Sequence, residues 1–296
     1  IMPQKLISIG MAVLNEERWL SQALDSVLAQ DYQNIEVIIC DNLSTDRTAE
    51  IAGEYVKKDS RVKYFLNKER VSSFKNYSLT FKHSSGEYFM FCGGHDLMEK
   101  NYVSSCADIL DREPEVILVY SLYNYIDGNG NELRRMSYII DTRGMGMLRR
   151  VSSLFFCLLK SNPCFGLIRS DFIKRIRFVE NFRKVLNDDV IFLFQIALLG
   201  KFVQIPKLLF SYRINRPNEG SEGITSRHIK EIYGNQKYPM FFYVIHKYYV
   251  YFAVVLKMPI TCYKKPLLLL WLFTLLLLIY LKVILRKILK YASKTN

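Results

Sequence analysis

Apolar and polar positions follow two alternating patterns through the first hundred residues. Short continuous apolar runs, which are typical of strands buried on both faces, alternate with stretches whose apolar residues recur every three to four positions. The apolar runs predict strands at 6–12, 35–40, 62–65 and 88–92, and the intervening stretches predict helices at about 20–28, 47–57 and 73–83. Strand and helix signals that alternate in this way predict right-handed crossovers and an α/β fold with a mostly parallel sheet flanked by helices.

The carboxyl ends of these strands carry polar residues. Asn15 follows the first strand, Asp41 ends the second, and the loop 93–96 follows the fourth. Ligands of open α/β sheets bind beyond the carboxyl ends of the strands. The pattern therefore predicts a binding site at these three positions.

Between residues 101 and 213 the pattern is less regular, but it still mixes helices with strands. It predicts a helix at 101–113, a strand at 116–125, a hairpin turn at 127–130, a helix at 188–199 and a strand at 201–205. Gly200 is suited to end the second of these helices. Pro206 is expected to end the last strand.

The hydrophobic pattern changes again after residue 227. Residues 266–281 contain no charged side chain. The apolar stretch continues past Lys282 to about twenty residues, roughly the thickness of the hydrocarbon core of a bilayer. Lys264, Lys265 and further basic residues flank it, in position to reach lipid head groups. Residues 227–296 are therefore predicted to form a basic, hydrophobic, helical tail that associates with a membrane.

The distribution of charge favours a membrane over a nucleic acid as a partner. Lys and Arg number 41 against 28 Asp and Glu, which gives a net charge of +13. From residue 224 onward the sequence has twelve Lys or Arg and one acid, so nearly all of the excess lies beside the apolar stretch. A basic balance favours anionic surfaces, and its position here predicts a membrane, with no nucleic acid as a partner.

The cysteines indicate a reducing compartment. The six cysteines form no C-x-x-C pair, and no His/Cys spacing is suited to zinc. The first residues of the sequence lack a charged segment followed by an apolar signal stretch. We therefore expect reduced thiols and a globular domain on the cytoplasmic side of a membrane.

Several common nucleotide and catalytic motifs are absent from the sequence. There is no G-x-G-x-x-G, no G-x-x-x-x-G-K-[ST] and no G-x-S-x-G. The Gly-Met-Gly at 144–146 does not follow a predicted strand and lacks the third glycine. What remains as candidate chemistry is the set of acidic residues Asp41, Asp96, Asp188 and Asp189.

Three segments resemble the family 2 glycosyltransferases with the GT-A fold. Residues 7–51, ISIGMAVLNEERWLSQALDSVLAQDYQNIEVIICDNLSTDRTAEI, resemble the nucleotide-binding start of the family. Residues 84–96, SSGEYFMFCGGHD, resemble its strand leading to an acidic metal motif, and residues 186–202, LNDDVIFLFQIALLGKF, resemble its Glu-Asp helix. The resemblance implies a Rossmann-like GT-A domain at 1–226, with a nucleotide-sugar-binding half at 1–100 and an acceptor-binding half at 101–226.

The resemblance also implies a set of residues that bind the nucleotide-sugar. Asp41 matches the acid that accepts a hydrogen bond from the uracil ring, and Asn15 and Glu16 match the loop around the base and ribose. Lys75 and Asn76 fall near the diphosphate, although a lone Lys on a helix is as often a solvated charge. The full implied set is Ala12, Asn15, Glu16, Asp41, Asn42, Lys75, Asn76, Gly94 and Arg213.

The metal motif departs from the family pattern. The family has Asp-x-Asp, whereas residues 93–96 read Gly-Gly-His-Asp, so the first Asp is missing, His95 stands at the usual ligand position and Asp96 is kept. The resemblance implies Mn²⁺ or Mg²⁺ held by Asp96 and His95, because a diphosphate supplies further oxygens. Imidazole suits Mn²⁺ better than Mg²⁺. Two alternatives stay open, namely that His95 is an ordinary loop residue and that no metal binds.

Asp188 and Asp189 are the implied catalytic residues. Asp189 matches the last residue of the Glu-Asp motif, the general base of the family, and Asp188 replaces the Glu. A base is required because the acceptor hydroxyl loses its proton as it attacks the anomeric carbon. The alternative is that both carboxylates only favour the start of a helix.

The resemblance and the tail together imply an inverting, metal-assisted hexosyltransferase. It would move a sugar from a UDP-sugar to a glycan that is lipid-linked or membrane-borne, as in cell-surface polysaccharide synthesis. One alternative is transfer onto a polyprenyl phosphate, which is already ionised and needs no base. The other is a non-catalytic, nucleotide-sugar-binding partner of a membrane assembly, which the missing Asp suggests.

Overall fold

The chain forms two compact units. A computed structural model describes residues 4–157, 163–176, 188–214 and 240–292. The described residues up to 214 belong to the first unit, and residues 240–292 belong to the second.

A mixed sheet of nine strands forms the centre of the described part of the first unit. In chain order the strands are β1 Ile7–Val13, β2 Ile35–Asp41, β3 Val62–Leu66, β4 Tyr88–Gly93, β5 Leu97–Met98, β6 Val116–Ile126, β7 Glu132–Arg135, β8 Leu167–Arg169 and β9 Lys201–Arg213. Their spatial order is β3-β2-β1-β4-β8-β6-β9-β5, and β7 pairs with β6.

Helices cover this sheet and connect its parallel strands. In chain order they are α1 Leu20–Leu28, α2 Thr48–Lys58, α3 Ser73–Lys82, α4 Tyr102–Arg112, α5 Met147–Cys157, α6 Ser170–Arg175 and α7 Asp188–Leu199. The α1 helix shows why they form: Leu20, Ala23, Leu24 and Val27 recur at helical spacing and are all buried. Strands β1, β2 and β4 are mostly apolar and are buried over nearly their full length, because the sheet is covered on both faces.

The predicted mostly parallel sheet is confirmed only for part of the fold. Strands β3, β2, β1 and β4 are parallel neighbours, and β6 is parallel to β9. In contrast, β8 is antiparallel to both β4 and β6, β7 to β6, and β5 to β9. The reversing strands β5 and β8 have two and three residues, and runs this short show no readable periodicity.

The prediction that Pro206 ends the last strand was wrong. Strand β9 continues to Arg213 because the pairing shifts at this point: Ser121 pairs with Ile205, and Leu122 pairs with Leu208. Pro206 and Lys207 fall in the irregularity and are exposed. A proline that lacks a ladder N–H is tolerated at such a bulge.

The second unit is a helical pair. Its helices are α8 Met240–Lys257 and α9 Lys264–Ala292. The α9 helix buries Leu268, Leu272 and Leu275, one stripe of its apolar surface. Within the described ranges, no helix combines the length and apolar character needed to cross a membrane. Of the two ways in which the predicted tail could associate with a membrane, a spanning helix is therefore not confirmed.

Candidate functional site

Three strand ends meet at one edge of the sheet. β1 lies between β2 and β4, so Val13 pairs with Asp41 and Ala12 pairs with both Cys40 and Gly93. The loops that follow these strands therefore begin next to one another, as expected from their parallel order. This confirms that residues 15, 41 and 93–96 belong to one edge.

Hydrogen bonds join the loop after β1 to the loop after β2. The backbone N–H of Asn15 donates to Ser44 Oγ at 3.0 Å, and Asn15 Oδ1 accepts from the N–H of Thr45 at 2.8 Å. The N–H of Glu16 donates to Thr48 Oγ1 at 2.7 Å. Asn15 has a φ of 56°, in the left-handed region that Asn tolerates better than most residues. The side chain of Asn15 therefore fixes the shape of this edge.

Asp41 is the last residue of β2 at this edge, and its side chain is fully buried. Its Oδ1 accepts from the N–H of Ser44 at 2.8 Å and from Ser44 Oγ at 2.6 Å, and its Oδ2 accepts from the Tyr64 hydroxyl at 2.8 Å. Burial and the Asp41 carboxylate raise the pKa of Tyr64. A carboxylate has about four acceptor positions, so a ligand donor finds most of them occupied. The role of Asp41 toward a uracil ring stays a prediction.

The side chains of Asn42 and Asn76 also form their hydrogen bonds within the protein. Asn76 Nδ2 donates to the carbonyl of Cys40 at 2.9 Å, and Asn42 Nδ2 donates to the carbonyl of Val71 at 2.8 Å. Asn67 Nδ2 donates to the Oδ1 of both asparagines, at 3.1 Å and 2.9 Å. These two side chains therefore hold the segment after β3 against the edge, and their contact with a nucleotide stays a prediction.

Lys75 lies in the first turn of α3. Its backbone N–H donates to the Oγ of Ser72, the N-cap of the helix, at 3.3 Å. A helix N-terminus favours anions. This position is compatible with the predicted place of Lys75 near a diphosphate.

Gly94 allows the loop after β4 to touch the loop after β1. A Cβ at this position would lie 2.9 Å from Val13 Cγ1 and 3.0 Å from Glu16 Cγ, closer than side chains pack. The close approach brings His95 to Glu16, with His95 Nδ1 at 2.8 Å from Glu16 Oε1. Because an ionised carboxylate only accepts, the His95 ring donates this hydrogen bond.

The His95 ring lies between two carboxylates. Besides Glu16, Asp96 is close, with its Oδ1 at 3.9 Å from His95 Nε2. Burial lowers the pKa of His95, but the hydrogen bond to Glu16 and the two carboxylate charges outweigh burial and raise it to about 9. Burial also raises the pKa of Asp96, against the influence of His95 and of the Arg213 N–H. The two carboxylates therefore favour the protonated form of the ring.

Arg213, the last residue of β9, forms hydrogen bonds to both His95 and Asp96. Its Nε donates to the carbonyl of His95 at 2.8 Å, and its backbone N–H donates to Asp96 Oδ1 at 3.0 Å. Its Nη1 donates to the carbonyls of Asp127 and Gly128 at 3.1 Å and 3.2 Å, and its Nη2 donates to Gln22 Oε1 at 3.0 Å. The guanidinium of Arg213 thus donates its hydrogen bonds to groups of the protein itself. The predicted contact of Arg213 with the nucleotide stays a prediction.

Asp189 is the second residue of α7. Its Oδ1 accepts from the N–H of Val190 at 2.9 Å, and the side chain is exposed. Burial and the carboxylates of Asp96 and Asp189 raise the pKa of Tyr212. Both acids therefore lie within electrostatic reach of one phenol. Asp188 is the first residue of α7, and its side chain lies outside the described part of the chain.

The loop after β4 does not by itself form a metal site with three protein ligands. Within the described ranges, no three His, Cys, Asp or Glu side chains are arranged so that they could hold a metal ion. Asp96 is 1% exposed, whereas a metal that binds a diphosphate needs ligands that face the ligand. Because a bound diphosphate would supply further oxygens, ligation of Mn²⁺ or Mg²⁺ by Asp96 and His95 stays a prediction.

The sequence pattern missed two residues that complete the site. Tyr64 lies in β3 and bonds Asp41, and Asn67 follows β3 and links Asn42 to Asn76. The available signal was a third polar strand end, beside those of β1 and β2. The pattern around this strand end is weak because β3 is short and only partly buried.

Comparison with known proteins shows which family the chain matches. A family model described as "Glycosyl transferase family 2" matches residues 8–176, more than half of the chain. The glycosyltransferase GlyG of Streptococcus pneumoniae serotype 4 is 24% identical over 220 residues, which are 71% of this chain and 71% of that protein.

Two solved structures show the same fold at low sequence identity. S. aureus TarS residues 1–349, in complex with UDP-GlcNAc, has a TM-score of 0.63 and 16% identity, and the match covers 89% of this chain and 70% of that one. The mannosyltransferase PcManGT of Pyrobaculum calidifontis, in complex with GDP-Man and Mn²⁺, has a TM-score of 0.54 and 15% identity, and the match covers 87% of this chain and 73% of that one.

Proposed function

This chain belongs to glycosyl transferase family 2, and we propose that it transfers a sugar from a UDP-sugar to a glycan acceptor with inversion at the anomeric carbon. The observation that carries the proposal is the match of residues 8–176 to the family, together with the ends of β1, β2 and β4 that lie side by side at one edge of the sheet. TarS, which has a similar fold, binds UDP-GlcNAc. That likeness supports a uridine diphosphate as the leaving group.

The proposed reaction is a single displacement. The acceptor hydroxyl attacks the anomeric carbon from the side opposite the diphosphate, and Asp189 takes its proton. The new carbon–oxygen bond forms as the bond to the diphosphate oxygen breaks, and the electron pair leaves with UDP. Because attack and departure occur on opposite faces, the configuration at the anomeric carbon inverts. Asp189 ends the reaction protonated and returns its proton to water.

Binding of the donor is the first test of the proposal. We expect a UDP-sugar at about 100 times its Kd to add about 2.7 kcal/mol to the free energy of unfolding. For a domain of this size that raises Tm by about 5–10 °C. The measurement is a thermal shift across a panel of UDP-, GDP- and dTDP-sugars. Stabilisation by none of them would contradict the proposed function, and acceptor-dependent release of UDP separates an enzyme from a non-catalytic binding partner.

We also propose that the second unit binds the surface of a membrane, where the acceptor glycan would be anchored. One side of α9 packs inward, while Leu267, Leu270, Phe273, Leu277, Leu278 and Leu281 are exposed. The exposed residues recur every three to four positions, so they form one apolar stripe. Lys264 and Lys265 precede the stripe, and basic residues beside an apolar face favour anionic lipid.

Charged residues in this stripe should release the protein from lipid. Leu270→Glu together with Leu277→Glu is expected to lower partition onto anionic vesicles by about 10²–10⁴-fold, because each buried leucine contributes about 1.5–3 kcal/mol. The measurement is vesicle flotation of the full chain at low and high salt. Leu133→Glu, at an exposed leucine of the first unit, is the control. Equal flotation of the double variant and wild type would contradict the membrane proposal.

A further inference from the structure

Two tyrosine hydroxyls near the candidate site form no hydrogen bond with the described part of the protein. Tyr77 lies in the middle of α3, and Tyr212 is the residue before the end of β9. Both residues are half-buried, and neither hydroxyl has a hydrogen-bond partner among the described residues. Building on the function proposed above, we propose that these two phenols bind the hydroxyl groups of a sugar ring, which either the donor or the acceptor supplies.

Many other tyrosines of the first unit use their hydroxyls within the protein. They donate to a carbonyl or carboxylate oxygen over 2.6–3.0 Å, as the hydroxyls of Tyr32, Tyr55, Tyr64, Tyr88 and Tyr102 do. A phenol that is taken from water usually finds such a partner. The hydroxyls of Tyr77 and Tyr212 are therefore available to a ligand.

The two tyrosines contact the same aromatic ring. The ring centroid of Phe165 lies 6.3 Å from that of Tyr77 and 5.2 Å from that of Tyr212, and both pairs meet edge to face. Tyr77 also packs edge to face on Phe91, two residues before the end of β4, with centroids 5.3 Å apart. These four rings form one aromatic floor, which reaches the carboxyl end of β4.

The helix that carries the proposed base packs on this aromatic floor. Phe192 of α7 contacts Phe91 with ring centroids 5.6 Å apart. Asp189 lies three positions before Phe192, and residues at this spacing share one face of a helix. Asp189 is therefore on the face of α7 that packs toward the aromatic floor, and its side chain is exposed. A sugar held by the phenols lies close to the proposed base.

Carboxylates near the phenols favour a neutral ligand group over a phosphate. The backbone N–H of Arg213, which follows Tyr212, donates to Asp96 Oδ1 at 3.0 Å. Burial and then the Asp96 carboxylate raise the pKa of Tyr77, and burial with the carboxylates of Asp96 and Asp189 raises the pKa of Tyr212. Because negative charges repel phosphate oxygens, these phenols are better suited to an uncharged hydroxyl.

A sugar ring has the groups that fit this arrangement. A phenol and a sugar hydroxyl can each donate one hydrogen bond and accept others. The aromatic floor adds apolar contact for the carbon-bound hydrogens of the ring, and sites for small ligands combine such surface with a few polar groups. Tyr77 belongs to the half of the domain that is expected to bind the nucleotide-sugar, and Tyr212 to the half that is expected to bind the acceptor. Either substrate can therefore supply the ring.

The test compares ligands with and without a sugar, using the full chain. Tyr77→Phe and Tyr212→Phe each remove one oxygen and keep the ring, so Tm should match wild type, and the calorimetric Kd for UDP should change by less than about two-fold. Either the Kd for the UDP-sugar with the largest thermal shift or the KM for an octyl-glycoside acceptor should rise by about three- to ten-fold, the usual effect of losing a neutral hydrogen bond. A rise in Kd assigns the donor sugar, and a rise in KM assigns the acceptor.

Tyr32→Phe is the matched control, because its hydroxyl donates to the carbonyl of Lys5 at 2.7 Å, before β1 and away from the candidate site. It should lower Tm and leave every ligand constant as in wild type. Wild-type constants of both test variants for the UDP-sugar and the glycosides would overturn the inference. A loss of UDP binding as large as that of the UDP-sugar, or a fall in Tm as in Tyr32→Phe, would also overturn it. Wild-type protein that binds neither UDP nor any UDP-sugar would contradict the proposed function itself.

Discussion

Replacing Asp189 with Asn is expected to lower kcat by about 10²–10⁴, the usual contribution of a positioned general base. The amide has nearly the same shape, but it cannot take the proton of the acceptor hydroxyl. Its Oδ1 can still accept from the N–H of Val190, a bond that measures 2.9 Å in the wild-type chain. The helix start should therefore be kept, and the Kd for the UDP-sugar should change by less than about three-fold, because the base acts on the acceptor rather than on the donor.

The measurement is the rate of acceptor-dependent UDP release, together with calorimetric binding of the donor. Asp108→Asn removes an exposed carboxylate that pairs with Arg112 at 3.3 Å, away from the site, and should leave both quantities unchanged. Wild-type turnover of Asp189→Asn with a hydroxyl acceptor would show that Asp189 is not the base. A loss confined to hydroxyl acceptors, with polyprenyl phosphate used normally, would favour the alternative in which the acceptor is already ionised.

The first half of the fold could be predicted well from the sequence because each of its strands and helices has a clear hydrophobic pattern. Strands β1, β2 and β4 are buried over nearly their full length, and α1 has one clear apolar stripe. Both are patterns that local composition determines. Their parallel order then fixed which loops meet, so the edge at Asn15, Asp41 and His95 could be located before any contact was known.

The rest could not be predicted because it depends on contacts between distant residues. Glu16 and His95 are 79 positions apart, and nothing in their spacing indicates that they bond. Gly94 allows the contact between His95 and Glu16 because it has no side chain that would collide with Val13 and Glu16. The hydrophobic pattern of the sequence carries no information about such a requirement. Asn76 shows the same limit. The family resemblance places it near a phosphate, whereas the structure shows its amide bonded to the carbonyl of Cys40.

Arg213 connects these distant parts, and its loss should destabilise the first unit. Its side chain donates to the carbonyls of His95, Asp127 and Gly128 and to Gln22, and the residue is 3% exposed. Arg213→Met fills similar space but leaves these acceptors, three of which belong to partly buried residues, without their donor. Because each unsatisfied buried group costs about 1–3 kcal/mol and the effects overlap, we expect the free energy of unfolding to fall by about 3–5 kcal/mol.

Denaturant unfolding of Arg213→Met, compared with donor binding at a temperature where the variant is folded, separates two roles for this side chain. A structural role predicts a large loss of stability, and a smaller loss for Arg213→Lys, whose ammonium can keep only part of the bonds because it lacks the planar fork. A direct contact with the diphosphate predicts nearly unchanged stability and UDP binding weakened by about ten-fold or more. Arg112→Met, at an exposed site at the end of α4, should change stability by less than about 0.5 kcal/mol. The network of acceptors around Arg213 favours the first result, since a guanidinium that already donates to four acceptors has little left to offer a ligand.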